Sequence, residues 1–560
     1  MSEGFDLIVR GGTLVDGTGA PGRSGDLGVR GGRIAALGEV RGRAARELDA
    51  TGCVVSPGFV DIHTHYDAQI FWDRMLTISP WHGVTSVVMG NCGFGIAPTR
   101  PAHRDLMLRT LENVEGMSLA ALHAGIGADW PFETFPQYLD AIERRGCAIN
   151  LGALVGHTPV RLYVMGEEST EREATEDEIR TMSRIVEEAV RAGALGFATS
   201  KAPTHVGYAG RPVPSRAASL AEIEALADGL GRAQSGVIQA TVGRGFFANE
   251  LAAIQRRTGR TVSWTALLTG LSADFHRTVL AQHEKLQSEG VRVVPQVSCR
   301  PLNFEYQWKA PFPFESLPLF KPVSEANFEG KQRIYADPAF RAAFRTEVGQ
   351  RLIAGKWEDT VISACPTEPA LDERNVAEVA RERGVHPVDL VLDLGLASNL
   401  EARFRVAALN TDEDAVAELL QSKAIVLGLS DAGAHASQLC DACFSTHLLS
   451  RFVRERKTLS IEEAVRHLTS HPAEVFGIEG RGRLAAGLAA DVVVFDPDTV
   501  GCTPLRRVHD LPAGADRLVS EATGIRAVIV NGTVIREDGR DAVDPEGPLP
   551  GRLLRNGRAA

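Results

Sequence analysis

The sequence predicts an α/β protein: a (β/α)8 barrel joined to a small β-sandwich made from both ends of the chain. Three observations carry this. After residue 50, eight short β-rich apolar segments alternate with segments of helical period, the pattern of a parallel sheet covered on both faces. Polar residues capable of chemistry collect at the last positions of those segments, where a barrel of this kind keeps its active site. The flanks differ, being short strands punctuated by Gly turns.

In chain order, "DLIVRGGTLVDG" and "DLGVRGGRIAALG" give residues 1–56 to the first part of the sandwich. Residues 57–480 are the barrel. Its candidate strands are "VVSPGFVDIHTH", "GVTSVVMGNCG", "AINLGALVGHT", "GALGFATSK", "GVIQATVG", "TVSWTALL", "VRVVPQVS" and "AIVLGLSDAGAH". Between them lie helical stretches such as "EDEIRTMSRIVEEAVRAG" and "LAEIEALADGLGRAQ". Residues 300–365 break the alternation and read as an insertion after the seventh strand. Seven aromatics fall between Phe304 and Phe328 in a chain only 6% aromatic. Loops after barrel strands lie over the active site, so this stretch is either an aromatic lid or a unit with its own small core. "ADVVVFDP" and "IRAVIVNGTVIREDG" return residues 481–560 to the sandwich.

The first candidate strand ends in "GFVDIHTHYDAQ". Residues i and i+2 of a strand face the same side, so His63 and His65 are neighbours, and neutral imidazole is the commonest side-chain metal ligand. Taken alone, the pair could equally open a loop. Four further strand ends carry chemistry: Cys92 on the second, His157 on the third, Lys201 on the fourth and Asp431 on the eighth. Together they favour a metal. His82, at the start of the second strand, would lie on the opposite barrel face and reads as structural.

Bulk properties narrow the partners. A net charge of −11 over 560 residues, with scattered basic residues, argues against a nucleic-acid surface. No apolar run reaches the roughly 18 residues of a membrane span. The start lacks the basic end and apolar core of a signal peptide. Eight cysteines in so long a chain make no disulfide framework and fit a reduced, cytoplasmic protein. Cys440 and Cys443 form a lone C-x-x-C that reads as helix packing, since no second pair stands at zinc-site spacing. These properties leave a small molecule as the expected partner; a homo-oligomer is permitted but not required.

"SPGFVDIHTH", "HGVTSVVMGNCGFGIAP", "GALGFATS", "HPAEVFGIEGRGRLAAGLAADVVVFDP" and "PGRLLRNG" resemble the amidohydrolase superfamily, and within it the N-acyl-D-amino-acid deacylase (D-aminoacylase) group. The resemblance runs over nearly the whole chain. It implies a metal-dependent hydrolase of non-peptide C–N bonds, with His63 and His65 as metal ligands and Cys92 as a thiolate ligand. It makes Asp431 the strand-8 aspartate that handles the proton, and His157 a residue near the substrate. One departure stands out. Group members with the cysteine ligand also use histidines at the ends of strands 5 and 6, whereas no histidine occurs here between His205 and His276. Either the metal sits at the H-x-H side alone, or a substitute ligand has appeared, or activity is lost.

Lys201 is the obvious substitute, because other amidohydrolases bridge two metals with a carboxylated lysine at the end of strand 4. Its alternatives are pairing with a carboxylate or binding an acidic substrate group. His205 and His435 read as pocket-lining, substrate-binding residues, as further metal ligands, or as surface loop histidines. The expected cofactor is one or two Zn²⁺ held by His63, His65 and Asp431 with Cys92 or Lys201. Zinc brings bound water to a pKa of about 7, so a metal-bound hydroxide would attack the carbonyl with Asp431 as general base and then acid. For a substrate carboxylate, Arg161, Lys201, Arg216 and Arg244 follow candidate strands, and the aromatic insertion suggests a bulky or aromatic hydrophobic group. A cyclic or aryl amide, a non-catalytic binding barrel that has lost its metal, and a lyase or isomerase on the same site are the other readings.

Overall fold

The computed structural model describes residues 4–559 apart from 273, 312, 316, 349–355 and 436–440. Eight strands form one parallel sheet in sequence order: β1 (Phe59–Asp61), β2 (Val84–Met89), β3 (Asn150–Gly156), β4 (Gly196–Ser200), β5 (Val237–Thr241), β6 (Val262–Thr265), β7 (Val293–Val297) and β8 (Val426–Leu427). They are buried along almost their whole length, which is why they read as apolar runs rather than as an alternation. β1 and β8 end the sheet order and meet just beyond their own last residues. Thr64 pairs in parallel with Ala432. There the Asp431 N–H donates to the His63 carbonyl (3.1 Å) and the His65 N–H to the Ala432 carbonyl (2.7 Å). This seam closes the barrel at its C-terminal mouth.

The first candidate segment divides in two. Val54–Pro57 pairs with Val492–Phe495, placing Val55 opposite Val494, whereas β1 begins at Phe59. Gly58 makes the crossing: a Cβ there would fall 2.0 Å from Thr85 Oγ1, so only glycine fits. Both chain ends thus build one nine-stranded sheet. Its N-terminal strands are Phe5–Leu14, Arg23–Arg30, Arg33–Gly38, Ala44–Asp49 and Val54–Pro57. Val492–Phe495, Ile525–Val530, Thr533–Glu537 and Arg540–Asp541 complete it. Leu7, Val9, Leu27, Val492 and Ile529 share a core of their own there.

Helices clad the barrel where the sequence period places them. Glu176–Arg191 starts on a capping box between Thr175 and Glu178 and buries Met182, Val186 and Val190 on one stripe. Leu220–Ala233 starts on the Ser219 hydroxyl and buries Ile223, Leu226 and Leu230. Among the described residues no helix is long and apolar enough to cross a membrane.

The stretch after β7 extends beyond the expected residues 300–365. Strands Leu302–Gln307, Thr360–Ala364, Arg374–Asn375 and Arg403–Leu409 form a separate four-stranded sheet. Its later helices, Val376–Arg383 and Pro387–Ala397, have the period of barrel helices, which hides the boundary in the sequence. Tyr306, Trp308, Phe314 and Phe320 are buried in this unit's core with Phe344 and Phe404. Trp308 stacks on Phe314 at 5.4 Å and donates its indole N–H to the Val391 carbonyl at 2.8 Å. These four rings are core, not a lid; Phe312 lies outside the described residues. Trp308→Ala is expected to cost about 3–5 kcal/mol, giving early proteolytic cleavage between residues 302 and 409 while the barrel's unfolding midpoint moves little. A single shifted transition without early cleavage would show that the two cores melt as one.

Candidate metal centre

His63 and His65 follow β1 on the closing seam, with Thr64 between them paired to Ala432. Their rings lie on one side with centroids 5.3 Å apart. Cys92 comes from the turn after β2, where it adopts a left-handed backbone (φ +57°) between Gly90 and Gly93, also at positive φ. Gly90 is obligatory, because a Cβ there would sit 2.3 Å from the Leu154 carbonyl oxygen. The Cys92 N–H is held by Gln239 Oε1 on β5 at 2.7 Å, and Cys92 Sγ lies 3.4 Å from His63 Nε2. One donor atom each from His63, His65 and Cys92 falls within 4.8 Å of the others, all three residues being buried. Asp431 Oδ1 lies 3.2 Å from His63 Nε2 and 3.5 Å from His65 Nε2. Asp431 reaches them from a strained turn in which Leu429 (φ +65°) is also left-handed (Asp431 φ +47°).

The strands opposite supply support. Gln296 Oε1 on β7 sits 2.6 Å from His63 Nδ1, and its amide donates to Ser263 Oγ at 3.2 Å. The Gln239 amide donates to Thr265 Oγ1 at 2.8 Å. No histidine ends β5 or β6; Thr241 and Thr265 stand there, and Thr241 Oγ1 is buried without a hydrogen-bond partner among the described residues.

The charges of the cluster are mutually dependent. Burial pushes the Cys92 thiol up, but the charge and hydrogen bond of His63 outweigh it and bring the pKa down to about 7. Burial likewise opposes ionisation of Asp431, and the His63 and His65 charges overcome it, holding the carboxyl well below its ordinary range. A thiolate, two imidazoles and a carboxylate are a donor set suited to zinc. The residues fit a single divalent cation.

The amidohydrolase family profile matches residues 46–536.

The chain belongs to the amidohydrolase family.

A D-aminoacylase of Alcaligenes xylosoxydans xylosoxydans is 32% identical over 96% of each chain. An N-acyl-D-glutamate deacylase from the same organism is also 32% identical, over 99% of this chain and 97% of its own. Among solved structures, the N-acyl-D-glutamate deacylase of Bordetella bronchiseptica, complexed with zinc and a phosphonate mimic of the tetrahedral intermediate, superposes with a TM-score of 0.69 at 29% identity. That match covers 99% of this chain and all of the other. A D-aminoacylase structure with a binuclear metal centre gives 0.67 at 28% identity, covering 98% of this chain and 99% of its own. This amidohydrolase is a metal-dependent hydrolase of carbon–nitrogen bonds other than peptide bonds.

Other strand-end residues of this amidohydrolase are placed less simply. Lys201 does not join the donor cluster: its ammonium donates to the carbonyls of Arg216 and Ala218, each at 2.7 Å. A carboxylated lysine would turn oxygens toward those same carbonyls, so this placement of the ammonium does not support a carboxylated bridge. His157 is fully buried, with Nδ1 against Thr199 Oγ1 and Nε2 against Glu222 Oε1, both at 2.8 Å; no ring nitrogen is left for a substrate. His205 takes Ser200 Oγ at Nδ1 (2.7 Å) and packs on Phe94. Burial brings it down to about 4, and the charges of Glu115, His435, His65 and Asp431 also act on it, which sets His205 and His435 beside the cluster. His82 lies buried between Thr446 Oγ1 (2.8 Å) and the Ser520 carbonyl (3.0 Å). Cys443 is buried, and Cys440 lies outside the described residues.

Sequence reasoning passed over three contributors. Gln239 and Gln296 were legible as polar residues inside buried strands; Glu115, whose Oε1 stands 3.1 Å from His65 Nδ1, carried no signal at all.

In metal-free protein, thiolate ultraviolet absorbance that disappears in Cys92→Ser should titrate with a midpoint near 7 rather than the ordinary 9. A depressed thiol pKa stabilises the fold in full above pH 9 and is lost as the pH falls through 7. The stability difference between wild type and Cys92→Ser should therefore shrink over that window. A midpoint near 9 would remove the coupling to His63.

Proposed function

We propose that this amidohydrolase cleaves a small N-acyl amide at one zinc ion held by His63, His65, Cys92 and Asp431. The observation that carries it is the convergence of the first three donors within 4.8 Å, with Asp431 Oδ1 against both imidazoles. Zinc in the Bordetella deacylase supports the choice of metal, and the relatives that deacylate D-amino acids support the substrate class. The reading of one ion rather than two is supported by β5 and β6 ending in threonines and by the engagement of Lys201 with backbone carbonyls.

When bound, the cation polarises the scissile carbonyl and acidifies water near it. Proton traffic falls to Asp431. Ionised at neutral pH, it accepts the proton of the attacking water and delivers it to the leaving nitrogen. His63 is kept in register by Gln296, and Cys92 by Gln239, so the donors need little rearrangement.

Of the four cations considered for a substrate carboxylate, three serve the fold. Arg161 is buried against Glu222, Lys201 is spoken for, and Arg216 donates to the His205 carbonyl. Arg244, in the turn after β5, is exposed and has no ion pair among the described residues; it is the cation left for an acidic substrate group. A bulky aromatic preference is not part of this proposal, because four of the seven rings expected to supply it fill the insertion's own core. No disulfide joins the seven described cysteines, which supports a reducing, cytoplasmic setting.

Asp431→Asn should retain about one zinc per chain yet lose at least about 10²-fold in turnover on a panel of N-acyl-D-amino acids. The acid product of the wild type should incorporate solvent oxygen. Near-wild-type turnover would take the proton role from Asp431, and two zinc ions per chain would overturn the single-ion site.

A further inference from the structure

Helix α1 (Arg104–Glu115) stops at Gly116 in a left-handed cap. Its last residue, Glu115, is buried (7% exposed). A carboxylate is not taken out of water at a helix end without a compensating partner. Here Oε1 stands 3.1 Å from His65 Nδ1. Neither atom has an aligned hydrogen bond to any group among the described residues, so the two face each other as a buried ion pair. The opposite nitrogen of that ring, Nε2, faces Asp431 Oδ1 at 3.5 Å. His65 is therefore gripped from two sides: its inner nitrogen points into the donor cluster and its outer one at a buried anion.

We infer that Glu115 is a positioning residue for metal binding, acting through His65. A histidine that ligates through Nε2 must carry its proton on Nδ1, and an acceptor there fixes both tautomer and ring orientation. The neighbouring ring shows the same construction, with Gln296 Oε1 at 2.6 Å from His63 Nδ1. The two acceptors differ in charge. Gln296 is neutral and serves only to orient. Glu115 is anionic, so it also makes the His65 ring a stronger donor, and it adds negative potential beside a site that holds a divalent cation.

The inference rests on the metal reading above, and one titration separates the two. Metal-stripped protein is titrated with Zn²⁺ against a chromophoric chelator, comparing wild type with Glu115→Gln, Glu115→Ala, His63→Ala, His65→Ala and the double variant His65→Ala with Glu115→Gln. Glu115→Gln and Glu115→Ala should bind zinc about 10- to 100-fold more weakly, with the alanine variant the weaker or equal of the two. In the His65→Ala background, Glu115→Gln should add less than about twofold, because its route to the metal is already gone. Zinc affinity within about twofold of wild type in both single variants, with binding lost in His63→Ala, would overturn the inference and leave the metal site standing. A full additive loss in the double variant would also overturn it, since Glu115 would then act elsewhere than through His65. A wild type that takes up no zinc would end the metal reading and this inference with it.

Discussion

Two backbone hydrogen bonds close the barrel and build its reactive centre in the same act. The His63 carbonyl accepts from Asp431 N–H, and His65 N–H donates to the Ala432 carbonyl. β8 contributes only Val426–Leu427 to the sheet and β1 only Phe59–Asp61, so the two strands by themselves offer little to hold the ends of the sheet together. The seam beyond them does that, and its residues are the two histidines and the aspartate of the proposed metal site. A one-residue slip would turn every side chain of an extended segment to the other face. The register that closes the sheet is therefore the register that puts both imidazoles and the carboxylate on the same side.

Around that seam the opposite wall of the barrel is polar by design of position rather than by number of charges. Gln239, Thr265 and Gln296 reach inward from β5, β6 and β7 and tie Cys92 and His63 in place. Amides and hydroxyls can do this without adding charge to a buried site, where each unpaired charge would be costly. The formal charges that remain, on Cys92, Asp431 and Glu115, lie within reach of the two imidazoles. Such a cluster is tightly coupled, so a change at one member shifts the protonation of the rest.

Much of this was legible in the chain itself, for reasons that can be named. Parallel strands buried on both faces leave apolar runs, and the active mouth of a barrel lies at one end of each, so His63, His65, Cys92 and Asp431 could be picked out by position. Position along a strand does not report where a long side chain goes next. Lys201 stands at a strand end like Cys92, yet its four methylenes carry the ammonium to the carbonyls of Arg216 and Ala218. His157 likewise turns its ring onto Glu222, far along the chain. Glu115 was invisible because its role depends on where a helix end docks in space. The insertion's length was hidden by Val376–Arg383 and Pro387–Ala397, whose helical period is the same whether they clad the barrel or a second core.

The turn that delivers Asp431 has a consequence for how such chains diverge. Leu429 and Asp431 both sit at positive φ, a conformation that costs a residue with a Cβ roughly 1–2 kcal/mol relative to its preferred basins. Glycine would relieve that strain at either position. At residue 431, however, it would delete the carboxylate. If Asp431 carries the proton as proposed, stability and turnover pull on one codon in opposite directions. A descendant released from selection for catalysis would drift toward glycine there and become the more robust fold, so the residue at that turn records whether the ancestral chemistry is still being maintained.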